Sequence, residues 1–166
     1  MKKFELTDEF VTNVFGKKLF RIKALVAFGN VEKGELGGFI ENEDNLSHDG
    51  NAWVYGNAQV FGNAQVYGNA LVYGDARVSG DARVSGNADY AVVTGFGRYF
   101  RATTFFRCED KILRVQCGCF YGDLAQFREI VKKTHGDSKY AKEYLAIADL
   151  IELHFAEEEE KQEAAE

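Results

Sequence analysis

Six six-residue repeats fill residues 51–86: NAWVYG (51–56), NAQVFG (57–62), NAQVYG (63–68), NALVYG (69–74), DARVSG (75–80) and DARVSG (81–86). Weaker copies flank them, as FIENED (39–44), NLSHDG (45–50) and NADYAV (87–92). A short, fixed repeat of this kind is typical of a β-helix, in which each repeat adds one strand to a parallel stack. We therefore predict a β-helix over residues 39–92.

The positions within each repeat predict which side chains fill the interior. Side chains alternate between the two faces of a strand, so the second and fourth residues of a repeat share one face. These residues are Ala and Val in all six repeats of 51–86, and we expect them to form the core. Gly at the sixth position and Asn or Asp at the first favour a sharp corner. Each repeat is predicted to be one short strand and one corner.

The repeats resemble those of the hexapeptide-repeat, left-handed β-helix family, and this resemblance covers about a third of the chain. In that family three repeats complete one turn of a three-sided coil. The resemblance implies a left-handed parallel β-helix of about three coils, with residues 18 apart stacked on one wall. The predicted fold is mainly β, with an N-terminal β-hairpin cap and a C-terminal subdomain made of a β-hairpin and two helices.

One wall of the predicted coil is apolar on its outer face. It carries Trp53, Tyr55, Leu71 and Tyr73. A large exposed apolar patch usually marks a contact surface. We therefore predict an interface at these four residues, covered either by a flanking segment of the same chain or by another subunit. The family's trimers and this wall favour a homo-oligomer, either a trimer or a dimer.

The flanking segments are predicted to cover the open ends of the coil, because a short solenoid exposes unpaired strand edges there. Strand patterns before residue 26 indicate an N-terminal hairpin, and two strand patterns around Glu109 indicate a second one. Asp123, followed three residues later by Gln126, predicts a helix that begins with a capping box. A second helix is predicted from Asp137 or Ser138. The predicted units are a β cap at 1–38, the β-helix at 39–92, an α+β subdomain at 93–155 and an acidic disordered tail at 156–166.

The charge of the chain bears on its partners. The net charge is −6, and residues 156–166 supply −5 of it through six Glu and one Lys. The rest of the chain is nearly neutral and lacks the basic field that nonspecific duplex binding requires, so a nucleic acid is not the expected partner. No apolar run approaches the ~18 residues of a membrane span, and no membrane partner is expected. We expect a cytoplasmic protein.

The cysteines give no framework for a disulfide or a metal. Cys108, Cys117 and Cys119 are odd in number, which fits reduced thiols. Their spacing differs from that of structural zinc sites, and small buried side chains are their simpler role. We expect neither a metal site nor a cofactor.

The segment that leaves the repeats combines arginines, hydroxyls and aromatic rings. It contains Arg98, Arg101, Thr103 and Thr104 close to three aromatic residues. Arginine forks and hydroxyls suit phosphate oxygens, and aromatic faces stack on bases, so these four residues are candidate ligand-binding residues for a nucleotide or another phosphorylated molecule. The alternative is a plain connection whose rings plug the end of the coil and whose arginines are solvated.

Three aromatic side chains near the predicted helices are further candidates. Tyr140 and Tyr144 lie one helical turn apart, and with His135 they line the same cleft if the helices fold back on the second hairpin. Ordinary helix packing is the alternative role for all three.

A second resemblance covers most of the chain. LGGF (36–39), the repeats, CGCFYG (117–122), HGD (135–137) and YAKEY (140–144) resemble segments of small proteins from phages and prophages of Gram-positive bacteria. The resemblance implies a non-enzymatic, oligomeric binding protein in the host cytoplasm. Such a protein acts against host defence by binding a host defence protein or by sequestering a nucleotide-like ligand. One alternative is an acyltransferase-like enzyme using His48, and another is an acidic nucleic-acid mimic that uses the Glu-rich tail.

Overall fold

The computed structural model describes the backbone of residues 2–165 and the side chains of residues 2–156. It is mainly β, with two helices at its carboxy-terminal end, as predicted. Single-turn 3₁₀ helices lie at Glu43–Asn45 and Asn87–Asp89. The strands are β1 Phe4–Thr12, β2 Lys18–Ala24, β3 Leu36–Ile40, β4 Trp53–Val54, β5 Gln59–Val60, β6 Gln65–Val66, β7 Leu71–Val72, β8 Arg77–Val78, β9 Arg83–Val84, β10 Tyr90–Val93, β11 Thr103–Arg107, β12 Leu113–Cys117 and β13 Phe120–Asp123. The helices are α1 Leu124–His135 and α2 Lys139–Ala165.

The six repeats at residues 51–86, here called the solenoid segment, stack in parallel pairs. Strand β4 pairs with β7, β5 with β8 and β6 with β9, and each pair joins residues 18 apart, such as Trp53 and Leu71. The repeat Ala and Val side chains are all fully buried, which confirms the predicted interior. The glycines that end the first five repeats have φ between +58° and +68°, a region where a side chain is strained. The corner prediction is therefore confirmed.

The N-terminal hairpin extends one sheet of the solenoid segment. Strands β1 and β2 pair antiparallel, β2 pairs antiparallel with β3, and β3 pairs in parallel with β5. The resulting sheet has the order β1-β2-β3-β5-β8. The predicted N-terminal hairpin is confirmed, and it covers a strand edge that the repeats leave unpaired.

The apolar wall is covered in part by the same chain. Trp53 is fully buried, with the rings of Phe4 and Phe28 packed edge-on at 6.5 Å and 5.3 Å between centroids. Of the four predicted interface residues, Leu71 and Tyr55 are half-buried and pack on the same core, whereas Tyr73 keeps 56% of its surface exposed. The N-terminal flank thus occupies the Trp53 end of the wall, and Tyr73 is the part that stays open.

Asn45 joins the backbone just before it, at residues 41–42, to the backbone at residues 62–64 of the solenoid segment. Its side chain is buried, and its Oδ1 accepts hydrogen bonds from the backbone N–H groups of Glu41 and Asn42 at 3.1 Å and 2.9 Å. Its Nδ2 donates to the carbonyl oxygens of Gly62 and Ala64 at 3.2 Å and 2.8 Å. One amide therefore satisfies four backbone groups.

We predict that Asn45→Ala lowers the free energy of unfolding by at least about 2 kcal/mol, because it strands buried backbone groups that each cost about 1–3 kcal/mol when unpaired. Urea denaturation measures the loss. Asn63→Ala is the matched control, since Asn63 has the same place in a repeat but is exposed, and its loss should stay below about 0.5 kcal/mol. Equal losses for the two variants would contradict the role given to Asn45.

The C-terminal part is a four-stranded antiparallel sheet with the two helices packed on it. Its strand order is β10-β11-β12-β13, so the predicted hairpin exists and gains a strand on each side. Asp123 and Gln126 form the predicted capping box at the start of α1, and Ser138 accepts a hydrogen bond from the N–H of Ala141 at the start of α2. The core between sheet and helices includes Phe105, Val115, Phe127, Val131 and Ala148.

Buried polar contacts join this sheet to the solenoid segment. Ser79 donates to Gln116 Oε1 at 2.7 Å, and the backbone N–H of Arg77 donates to Thr104 Oγ1 at 2.9 Å. The ring of Tyr121 lies so close to Gly80 that a side chain at position 80 would collide with it. These contacts hold the C-terminal sheet against one wall of the coil.

A comparison of Gly80→Ala with Gly74→Ala distinguishes the cost of losing the Tyr121 contact from the cost of backbone strain. Both glycines have positive φ, +61° and +68°, but Gly74 has open space where a side chain would go. We expect Gly74→Ala to cost about 1–2 kcal/mol from strain alone. Gly80→Ala should cost about 1–3 kcal/mol more, because its methyl group must displace Tyr121. Thermal denaturation measures the stability loss of each variant. Equal losses would mean that Tyr121 moves aside without cost, which would contradict the tight contact described here.

Disorder was predicted for the acidic tail, residues 156–166; the described backbone of α2 continues through this segment to Ala165, and the side chains after residue 156 lie outside those described. Neither α-helix, over the described residues, has the combined length and apolar character of a membrane span.

Candidate functional site

A cavity of about 280 Å³ lies where α1, α2 and the turn between β12 and β13 meet the segment before β11. We call it the aromatic cavity. Four of the predicted ligand-binding residues, Arg98, Arg101, His135 and Tyr144, line it together. The other lining residues are Tyr99, Cys117, Cys119, Phe120, Phe127, Ile130, Val131 and Thr134. The predicted return of the helices onto the hairpin therefore takes place.

Tyr144 ties the cavity wall to the segment that carries the arginines. Its ring is buried, its hydroxyl donates to the carbonyl oxygen of Phe96 at 3.5 Å, and it leaves no room for a side chain at Gly97. Burial raises the pKa of Tyr144 above its ordinary value, which already lies far above neutral pH, and the hydroxyl is therefore a donor. Tyr144 thus fixes the backbone at Phe96 and Gly97, directly before Arg98.

His135 forms an aromatic cluster with both predicted tyrosines. Its ring stacks on Tyr144 at 5.8 Å between centroids, with an interplanar angle of 27°, and it meets Tyr140 edge-on at 6.2 Å. Tyr140 does not line the cavity, and its ring contacts His135, which does. Among the predicted aromatic residues, His135 and Tyr144 can touch a ligand directly.

The two predicted threonines serve the packing of the sheet. Thr103 Oγ1 lies 3.2 Å from Cys117 Sγ, and Thr104 Oγ1 accepts the hydrogen bond from Arg77 N–H. Both side chains are buried, and neither lines the aromatic cavity. The structure thus separates Thr103 and Thr104 from Arg98 and Arg101, because the residues of β11 are drawn into the sheet and its contact with the coil.

Ion pairing divides the eight arginines of the chain into two groups. Five have a carboxylate partner within 4.0 Å: Arg21 with Glu9, Arg83 with Glu109, Arg107 with Asp89, Arg114 with Asp110, and Arg128 with Asp149. Arg77, Arg98 and Arg101 have none among the described residues. Arg98 and Arg101 instead lie near the ring of Tyr99, at 5.7 Å and 5.4 Å from its centroid. Two uncompensated guanidinium groups therefore stand at the aromatic cavity.

A glycine turn makes room for Arg101. Gly118 has φ +57°, and a side chain added there would collide with the Arg101 guanidinium. Gln116 holds this turn, because its Nε2 donates to the Gly118 carbonyl oxygen at 2.7 Å. Sequence reasoning missed Gly118 and its neighbours Cys119 and Phe120 as site residues. The Gly between two Cys after a predicted strand was the available signal of a tight turn.

The three cysteines differ in exposure, and they form no metal site among the described residues. Cys108 is buried, and burial raises the pKa of its thiol. Cys117 is half-buried and Cys119 is exposed, and both line the aromatic cavity. Thiol chemistry can therefore report on the site.

We predict that iodoacetamide modifies Cys119 first, since reaction requires an accessible thiolate. Cys108 should react at least about tenfold more slowly, because burial hides it and disfavours its thiolate form. Mass spectrometry of timed samples measures the three rates, and Cys119→Ser should remove the fast site while leaving the other two unchanged. Fast modification of Cys108 in the folded protein would contradict the packing described for it.

Comparison with protein families supports the repeat assignment. A family model described as YdcK Beta solenoid repeat matches residues 64–81 and 76–88. Both matches lie in or directly after the repeats, and neither includes a residue that lines the aromatic cavity. Over these residues the chain is similar to a β-solenoid repeat protein. A comparison with curated proteins gives no match.

Proposed function

We propose that the protein is a non-enzymatic binding protein whose aromatic cavity takes a nucleotide or a similar phosphorylated aromatic ligand. The single observation that carries this proposal is the pair Arg98 and Arg101, which lack a carboxylate partner among residues 2–156 and line a cavity walled by aromatic rings. Guanidinium groups bind phosphate oxygens through paired hydrogen bonds. Aromatic side chains stack on bases of any identity.

The composition of the cavity walls supports a flat ligand with a charged end. Phe120, Phe127 and Tyr144 provide apolar and aromatic surface, whereas the two arginines stand on the segment at the edge. Its volume of about 280 Å³ lies just below the range of about 300–1,000 Å³ found for small-molecule sites. A base fits such a volume, and its phosphate group would extend toward the arginines.

The solenoid segment serves in this proposal as a rigid scaffold. We take it to be a left-handed coil of about three turns, which rests on the resemblance to hexapeptide-repeat proteins. Tyr73, with 56% of its surface exposed, leaves one end of the apolar wall open for contact with a second or third subunit. The resemblance to phage and prophage proteins supports a role in host cytoplasm, where removing a nucleotide would act against host defence.

The geometry of His48 favours binding over acyl transfer. Its Nδ1 accepts a hydrogen bond from the backbone N–H of Lys3 at 3.0 Å, and its Nε2 lies 3.5 Å from the Glu43 carboxylate. Its ring also stacks on Phe4 at 4.1 Å between centroids. An imidazole that accepts at one nitrogen and donates at the other has no free lone pair for a substrate proton. His48 therefore fits a role as an anchor for the N-terminal strand.

Calorimetric titration with AMP, GMP, CMP and UMP tests the proposal. We expect at least one monophosphate to bind, and Arg98→Ala and Arg101→Ala to weaken it by about 10- to 100-fold each, as the loss of a charge-assisted hydrogen bond of about 1.5–3 kcal/mol implies. The matched control is Arg83→Ala, because Arg83 is paired with Glu109 and lies outside the cavity. The control should keep its affinity.

Native mass spectrometry of the protein as purified gives an independent reading of the subunit number and of any retained nucleotide. Protection of Cys119 from iodoacetamide by the bound monophosphate would place the ligand in the cavity. Absence of binding by all four monophosphates and by their diphosphates would overturn the proposal, and so would binding that survives both arginine substitutions.

A further inference from the structure

A second cavity, of about 390 Å³, adjoins the aromatic cavity and shares Arg101 and Cys119 with it. We call it the polar cavity. It lies where the three parts of the chain meet: the tip of the N-terminal hairpin, the outer face of the solenoid segment and the turn after β12. Its remaining lining residues are Thr12, Asn13, Val14, Gln59, Phe61, Arg77, Gln116 and Gly118.

The polar cavity has an uncompensated positive charge. Arg77 and Arg101 both line it, both are exposed, and neither has a carboxylate within 4.0 Å among the described residues. None of its described lining residues is acidic. With Arg98 at the aromatic cavity, the three arginines that lack an acidic partner in the described chain all lie along the two adjoining cavities. Such a row of guanidinium groups attracts an anion with more than one charge.

The neighbours of Arg77 hold it in place. Its Nε donates to Gln59 Oε1 at 3.4 Å, and Gln59 is its direct partner in the parallel pairing of β5 with β8. Its backbone N–H is bound by Thr104, which ties the strand to the C-terminal sheet. The side chain of Arg77 is thus held from one side by Gln59, while its terminal nitrogens have no hydrogen-bond partner among the described residues and remain available.

Amide groups around the cavity add further polar surface. Gln116 is buried between Ser79 and the Gly118 carbonyl, and it keeps the turn that carries Arg101 in position. Asn13 Nδ2 is buried and has no hydrogen-bond partner among the described residues.

We infer that the polar cavity is a second phosphoryl subsite, so that the ligand is a nucleotide that carries at least two phosphoryl groups. The base lies in the aromatic cavity, one phosphoryl group lies between Arg98 and Arg101, and the next lies between Arg101 and Arg77. This inference rests on the proposed function. The shared chemistry is a second phosphoryl group, supplied either by a diphosphate chain or by the next unit of a dinucleotide.

The test compares ligands with one and two phosphoryl groups in the full-length protein. Calorimetric titrations use AMP, GMP, CMP and UMP, their diphosphates, and the 5′-phosphorylated dinucleotides pApA and pGpG. We expect a diphosphate or a dinucleotide to bind at least about tenfold more tightly than the monophosphate of the same base, which is the gain from about one charge-assisted contact. Whichever of the two ligand types shows the gain identifies its source.

Arg77→Ala should abolish this gain and leave monophosphate affinity within about twofold of wild type. Arg83→Ala is the matched control, because Arg83 has the same position in an identical repeat, DARVSG, but is paired with Glu109. It should change neither affinity. Since Arg77 is exposed and only its backbone binds Thr104, the variant should fold, and its thermal denaturation midpoint checks this.

The outcomes separate the second subsite from the proposed function. Binding of monophosphates with no gain from a second phosphoryl group, or a gain that survives Arg77→Ala, would overturn the second subsite and leave the proposed function standing. Equal weakening of mono- and diphosphates by Arg77→Ala would also overturn it. If no nucleotide of the series binds, both fail together.

Discussion

Stacking of the repeats at intervals of 18 residues is the constraint on which the rest of this structure depends. It buries the Ala and Val of all six repeats of 51–86 in one interior and points the third and fifth positions away from that interior. Because each repeat strand spans only two residues, the sheet hydrogen bonds along the coil come from many short, identical pairings. A structure of this kind is stable along its length but has unpaired edges at both ends.

The two flanking parts of the chain satisfy those ends in different ways. The N-terminal hairpin continues a sheet of the coil through β3, and it places Phe4 and Phe28 over Trp53. The C-terminal sheet does not continue a sheet of the coil. It is held by one isolated antiparallel bridge, between Ala82 and Cys108, and by side-chain contacts such as Ser79 with Gln116. The polar cavity lies at this joint.

Charge pairing is the second organising feature. An arginine exposed at a surface usually meets a carboxylate or water, at little cost to stability. Here the arginines without a carboxylate partner in the described chain are not scattered, since Arg98, Arg101 and Arg77 follow one another along two adjoining cavities. Their grouping brings together residues from a loop and from a repeat strand. The grouping, rather than any one residue, supports the proposal of an anionic ligand.

The sequence by itself determined the elements that depend on neighbouring residues. Ala and Val at fixed positions predicted the interior, Gly predicted the corners with positive φ, and Asp123 with Gln126 predicted the start of α1. These features are readable because a strand, a corner and a capping box are each decided by residues within a few positions of one another.

Only the tertiary structure decided what the outward-facing side chains do. It buried Trp53 under Phe4 and Phe28. It placed Thr103 and Thr104 inside the packed sheet. It also gave Arg83 an acidic partner and Arg77 none among the described residues, although the two repeats are identical in sequence. Glu109, from the hairpin beyond the repeats, neutralises Arg83, whereas the C-terminal turn beside Arg77 offers no acid. The reason is physical: ion pairs and cavities depend on which distant segments meet, and no local pattern contains that information.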